Sequence, residues 1–263
     1  MQQALHILNG DATLPGFEQA DIAGDVMIWR EVLSEGPVMA NVASAAFWQQ
    51  RADWISETFG ETPAGYHDSM VVPLEMLSRP YEEINLWFEF DLHCQVNLLA
   101  AMMLLNQQTN LSAPEVYLIS PADFPGIESF SGMGELNGEQ LDYLYDNIRV
   151  QLSEYDFALA AEAWALYVEG DAAKLEAWLT ETTFWGNMPN LEPAMQAHLK
   201  RLQFDAEGLN YIHRKLLGIY NDGIRSKPAI YQSFWHDEKI YGMGDSQLDI
   251  YLQQLADKQL ISL

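Results

Sequence analysis

The chain has 263 residues, a formal charge of −25 and a single cysteine. That length can bury a sizeable core as one large or two smaller domains, and so acidic a field repels nucleic acid and anionic lipid, so neither is expected as a partner. Lone Cys94 excludes an internal disulfide and a cysteine-based metal cluster. The beginning of the chain lacks a basic stretch followed by a long apolar one. The longest apolar run, Leu98 to Leu105, is too short to span a bilayer, so a reducing cytoplasm is the expected compartment.

Three short apolar runs end in polar clusters. Leu5-His6-Ile7-Leu8 meets Asn9-Gly10-Asp11, and Val26-Met27-Ile28-Trp29 meets Arg30-Glu31 and Ser34-Glu35-Gly36-Pro37. Ile84 to Phe88 meets Glu89-Phe90-Asp91-Leu92-His93-Cys94-Gln95. Short runs rich in Val, Ile, Leu and aromatics read as buried strands. A fourth, Val116 to Ile119, follows Pro114. Between the second and third strands, Phe47, Trp48, Ala52, Ile55 and Phe59 share a helical face that Gly60 ends. A further helical segment is read around Met70 to Leu77, despite Pro73. Leu92 to Asn106 reads as a buried helix capped by Asp91. Alternating strand and helix predicts right-handed crossovers on a parallel sheet, with the three polar clusters converging at its carboxyl edge.

Ser120 to Asn137 reads as a loop able to close over that edge. Asn137 with Gln140, Ser153 with Asp156, and Asp171 open three helices, and a fourth follows Pro189 to about Leu202. The tail has a winged-helix outline. Asn210 caps one helix, a second runs from about Pro228 to Trp235, Asp245 caps a third, and Leu260 to Leu263 forms a closing strand. Its charge also differs: from His198 on there are 8 acidic and 8 basic residues, against 16 and 3 up to Ser120. The expected architecture is therefore α/β. A short, mainly parallel Rossmann-like sheet (1–136) precedes an all-helical half (137–205) that ends in a winged-helix-like module (206–263).

The chemistry-bearing candidates lie at the strand ends. Asp11, after the turn residue Gly10, suits a sugar hydroxyl or a metal, or simply an Asx turn. Arg30 suits a ligand phosphate or carboxylate, or internal pairing with Glu35, Glu89 or Asp91. Glu89 and Asp91 lie on one side of an extended chain, and with Glu31 they are the candidate general bases. Cys94, in the first turn of its helix, is a candidate nucleophile with His93 or His6 as base, but a small buried thiol is the favoured reading. His6, Asn9, Gly10, Asp11, Arg30, Glu35 and His93 are the expected ligand-binding set. Several of these side chains suit Mg²⁺, yet no metal-ligand spacing accompanies them and no metal is assigned. Without a G-x-G-x-x-G or Walker pattern, no cofactor is assigned either. The basic residues Arg214, Lys215, Arg225 and Lys227 read as a solvated helix face.

Leu5 to Asp11, Trp29-Arg30-Glu31-Val32-Leu33-Ser34-Glu35-Gly36-Pro37 and Leu86 to Asp91 together resemble the bacterial domain-of-unknown-function 1835 family. The likeness covers about the first 120 residues and continues through Phe130 to Leu136 and Gly208-Leu209-Asn210. The loop reads Gly-Met-Gly where the family has Gly-Leu-Gly, and a cysteine at position 94 is not a fixed family feature. The resemblance supports the fold and the motif residues and supplies no reaction. Two functions are expected: an enzyme acting on a small phosphorylated or nucleotide-like ligand, or a non-catalytic ligand-sensing or protein-interaction module. A lone cleft carboxylate with a strongly raised pKa favours the first, and a cleft in which every carboxylate is paired favours the second or a purely structural cluster.

Overall fold

The computed structural model of the chain describes residues 4–107 and 114–262. β1 (Ala4–Asn9) leads through a 3-10 turn and the single-turn α1 (Leu14–Phe17) to β2 (Asp25–Trp29). α2 (Ala45–Phe59) and the short α3 (Pro63–Tyr66) precede β3 (Glu83–Trp87), α4 (Leu92–Gln107) and β4 (Glu115–Ile119). After a long loop come α5 (Gly138–Asn147) and β5 (Val150–Gln151). The rest is helical: α6 (Glu154–Glu169), α7 (Ala172–Glu181), α8 (Leu191–Leu202), α9 (Tyr211–Asn221), α10 (Lys227–Asp237) and α11 (Asp245–Asp257).

The fold is α/β, with a mostly parallel sheet and a helical C-terminal half. The strand order is β2-β1-β3-β4-β5, and only β5 is antiparallel. The chain moves outward from β1 to β2 and then returns to β3 on the other side of β1. That reversal opens a crevice at the carboxyl ends of β1 and β3, which is where ligands bind in open parallel sheets.

Side chains alternate along each strand. Leu5, Ile7, Met27, Trp29, Ile84 and Leu86 face α2 and α4, in an apolar core that continues into the tail through Ile212, Leu216, Phe234, Leu248 and Leu252. Leu8, Ile28, Trp87 and Ile119 face α1, α5 and the long loop. α4 is apolar nearly all round, as a helix must be when it is covered on every side. It packs between the sheet and helices α6 and α8.

The expected caps hold. Asn137, Ser153 and Asn210 each accept from the amide three residues on, and Asp171 caps α7. At α11 the cap residue is Gly244, and Asp245 is the first helical residue. The segment around Met70 to Leu77 is irregular: α3 runs into a π turn (His67–Val71) and a 3-10 stretch (Val72–Ser78). Pro73 has no amide hydrogen and its ring crowds the preceding turn, which bars a regular helix there.

β5 is too short to carry a readable period, and it was not expected. Tail residues 206–262 form three helices and a 3-10 turn with no strand, so the described part of the expected closing strand, Leu260 to Ser262, is irregular. Leu263 lies outside the described residues. Among the described residues no helix is long and apolar enough to cross a membrane.

Because the tail shares the core of the sheet, a chain ending at residue 205 should lose its single cooperative urea transition and bind a hydrophobic dye. A sharp transition retained by the truncated chain would contradict this shared core.

Candidate functional site

Two turns shape the crevice. The loop after β2 is organised by Arg51, which is fully buried on the apolar face of α2. Its Nε and Nη2 donate to the two carboxylate oxygens of Glu31 at 3.0 and 2.9 Å, and Nη1 donates to the carbonyls of Glu35 and Pro37 at 2.8 and 3.1 Å. The hydroxyl of Tyr66 and the amide of Val32 also donate to Glu31. Glu31, a candidate base, is therefore consumed by structure. Gly36 adopts φ +77°, and a Cβ there would lie 2.4 Å from the Trp54 ring, so only glycine fits this step of the loop.

After β3, Asp91 caps α4 by accepting from the amide of Cys94 at 2.9 Å. This brings Glu89, Asp91 and Cys94 together with Asn9 at the end of β1. Asn9 Nδ2 lies 3.0 Å from the thiol, and the thiol lies 3.2 Å from Glu89 Oε2 and 3.1 Å from Asp91 Oδ2. Asn97 donates to Asn9 Oδ1 at 2.9 Å and to the carbonyl of Glu31 at 2.7 Å. The three expected clusters thus meet at one edge, with Asn97, on α4, as their junction.

The expected lid reaches this edge. In the Ser120–Asn137 loop, the amide of Met133 donates to Glu89 Oε1 at 2.8 Å. From the tail, the 3-10 turn Lys239–Tyr241 delivers Gly242 so close that a Cβ there would lie 2.0 Å from Asp91 Oδ1. Both carboxylates are consequently buried, and neither forms a salt bridge with a cation among the described residues. Burial and the neighbouring Asp91 raise Glu89 to about 7. Gln95 lies alongside, and its buried Oε1 has no partner among the described residues.

Burial and the two carboxylates push the Cys94 thiol far up, so it is a hydrogen-bond donor and not a ready nucleophile. His93 Nδ1 lies 3.2 Å from Ser34 Oγ, which also accepts from Gln247 at 3.0 Å. Burial lowers the pKa of His93, so its ring stays neutral near pH 7.

Other candidates are placed differently. His6 sits in mid-strand on the opposite face, where Nδ1 accepts from the indole of Trp87 at 3.2 Å and Nε2 donates to the carbonyl of Ala23 at 3.3 Å. It packs on Phe17 and Tyr145 and is a core histidine, outside the site. Arg30 places Nε and Nη2 on the carboxylate of exposed Asp11 at 2.8 and 2.7 Å and Nη1 on the carbonyl of Ser69. Its bidentate edge is thus occupied. It pairs with none of Glu35, Glu89 and Asp91.

Glu35 points into the tail interface, where Arg201 Nη2 donates to it at 2.7 Å and Tyr251 at 3.2 Å. Gly10 adopts φ +83°, as expected of the turn after β1, and a Cβ there would meet nothing within 4 Å. Among the described residues no three His, Cys, Asp or Glu side chains are arranged to hold a metal ion.

Comparison with protein-family models and with curated proteins finds no match, so the family resemblance rests on the motif residues alone.

Two stability measurements probe this arrangement. Arg51→Met should cost about 3–5 kcal/mol in urea melts, and adding Glu31→Met should recover part of the loss, because removing one partner leaves the other charge buried. Glu89 gives a pH-dependent test. Its folded pKa of about 7 lies above the unfolded value near 4.5, so the wild type loses stability as pH rises through that window, by about 3 kcal/mol at the plateau. Glu89→Gln should escape this loss, matching the wild type near pH 4.5 and exceeding it at pH 8. A difference that does not change with pH would show that Glu89 titrates normally.

Proposed function

We propose that the chain is an enzyme acting on a small phosphorylated or nucleotide-like ligand at the carboxyl edge of its sheet, with Glu89 as the acid–base group. The observation that supports this reading is Glu89 itself, a buried carboxyl without a cation partner among the described residues, raised to about 7. A group poised near the working pH both takes and gives a proton efficiently. Asp91 supports it as the neighbouring negative charge, and Asn9, Asn97 and His93 supply neutral polar groups beside it. Substrate reaches this pair when the Met133 loop or the Gly242 turn moves aside, since both lie against it. We further propose membership of the 1835 family on the motif residues, and a cytoplasmic setting from the single cysteine.

A second reading, a ligand-sensing or interaction module, has one observation in its favour. Asp11, Glu31 and Glu35 are all paired with arginines, as in a structural cluster.

The experiment that separates the two is infrared difference spectroscopy of Glu89 across pH 5 to 8, with Glu89→Gln as reference. It is combined with mass-spectrometric turnover assays on a panel of sugar phosphates and nucleotides. The enzyme reading expects a carboxyl that titrates near pH 7 and turnover that Glu89→Gln lowers by about 100-fold or more. A Glu89 already ionised at pH 5, or turnover unchanged in the variant, would sink it.

A further inference from the structure

Buried polar atoms almost always have partners, because leaving one unpaired costs about 1–3 kcal/mol. Among the described residues this rule is broken repeatedly in one place. Arg201 Nε and Nη1, both ring nitrogens of His198 and the hydroxyl of Tyr241 are buried without a hydrogen-bond partner. His198 and Arg201 are three residues apart on α8, so they share a face of it. Tyr241 belongs to the 3-10 turn that packs on α8. The three groups therefore lie where α8 and this turn pack together.

The guanidinium is tethered on one nitrogen only. Nη2 donates to the carbonyl of Ser34 at 2.8 Å, to Glu35 at 2.7 Å and to the hydroxyl of Tyr251 at 2.9 Å. The N–H groups on Nε and Nη1 have no acceptor among the described residues. Tyr167 packs its ring 4.4 Å from that of His198, and its hydroxyl donates to the carbonyl of Leu33 at 2.9 Å. A surface hollow of 330 Å³ is lined by Lys258, Glu35 and Tyr251 among others, and the last two bond Arg201.

We infer that Arg201, His198 and Tyr241 form a binding site for a small oxyanion, a carboxylate or a phosphate. Its oxygens would accept from Arg201 Nε and Nη1, from the protonated nitrogen of neutral His198 and from the hydroxyl of Tyr241. The inference rests on the proposed enzyme reading for its purpose, since it makes Arg201, and not the occupied Arg30, the anchor of the ligand's acidic group. The anchor lies next to the acid–base pair. Ser34 gives its carbonyl to Arg201 and its hydroxyl to His93, and Gly242, one residue after Tyr241, rests on Asp91.

Arg201→Ala would strand Glu35 and is a poor probe by itself. Tyr241→Phe and His198→Phe remove only groups that have no partner, so in the absence of anion each should leave the melting temperature unchanged or raise it. The probes are inorganic phosphate and acetate, titrated by calorimetry and thermal shift into the full chain and its Tyr241→Phe, His198→Phe, Arg30→Lys and Glu89→Gln variants. The expected result is that one of the two anions binds the wild type and raises its melting temperature. Its affinity should fall on the order of tenfold in the Tyr241 and His198 variants, the worth of one hydrogen bond to a charged group. Binding should persist in Arg30→Lys and Glu89→Gln. No binding of either anion to the wild type would overturn the inference, and so would equal affinity in the Tyr241 and His198 variants. Because anion binding is read without turnover and persists in Glu89→Gln, failure of the acid–base reading leaves this result standing, and the reverse also holds.

Discussion

The ion pair of Glu31 and Arg51 is the constraint on which the site depends. Two charges with no solvent exposure are costly to bury, and attraction alone seldom offsets that cost. Here the surrounding hydrogen bonds complete both partners. Arg51 takes both oxygens of Glu31 and also the carbonyls of Val32, Glu35 and Pro37, while Tyr66 and the Val32 amide fill the remaining acceptor sites of Glu31. One side chain on α2 thereby fixes the whole turn after β2. That turn carries Ser34 to His93 and Glu35 to Arg201, so the pair positions groups that it does not itself touch.

The same pair explains why Glu89 and Asp91 differ from the other acids. Up to Ser120 there are 3 basic residues for 16 acidic ones. Arg51 is committed to Glu31, Arg30 to Asp11 and Arg79 to Asp25. No cation from this part of the chain is left for Glu89. Burial instead raises its proton affinity, and the thiol of Cys94 and the amide of Met133 are its partners.

Much of the sheet and its edge was legible from short-range pattern. Alternation and the parallel rule were enough to bring Asn9, Glu89 and Asp91 together, and cap chemistry marked Asp91, Asn137 and Asn210. The position of His6 is also encoded locally, because strand parity sets it with Leu8 on the face opposite Asn9. Arg51 also left a trace: it falls among Phe47, Trp48, Ala52 and Ile55, where a charge on an apolar stripe implies a buried partner. Asn97, within the most apolar helix, is a similar mark. The contacts of Tyr66, Gln247 and Tyr251 join residues 35 to 216 positions apart, and no local pattern encodes such distances.

The tail changes what the sheet edge can do. In an open α/β sheet the crevice at the switch point faces solvent, and its carboxylates ionise normally. Here Gly242 and the Met133 loop cover the two acids, and the core of the sheet runs into α9, α10 and α11. α8 and the turn before Gly242 carry buried donors without a partner among the described residues, on Arg201, His198 and Tyr241. Natural folds keep such costly groups mainly where function requires them. Enclosure therefore raises the proton affinity of Glu89, and it buries nearby polar groups that have no partner among the described residues.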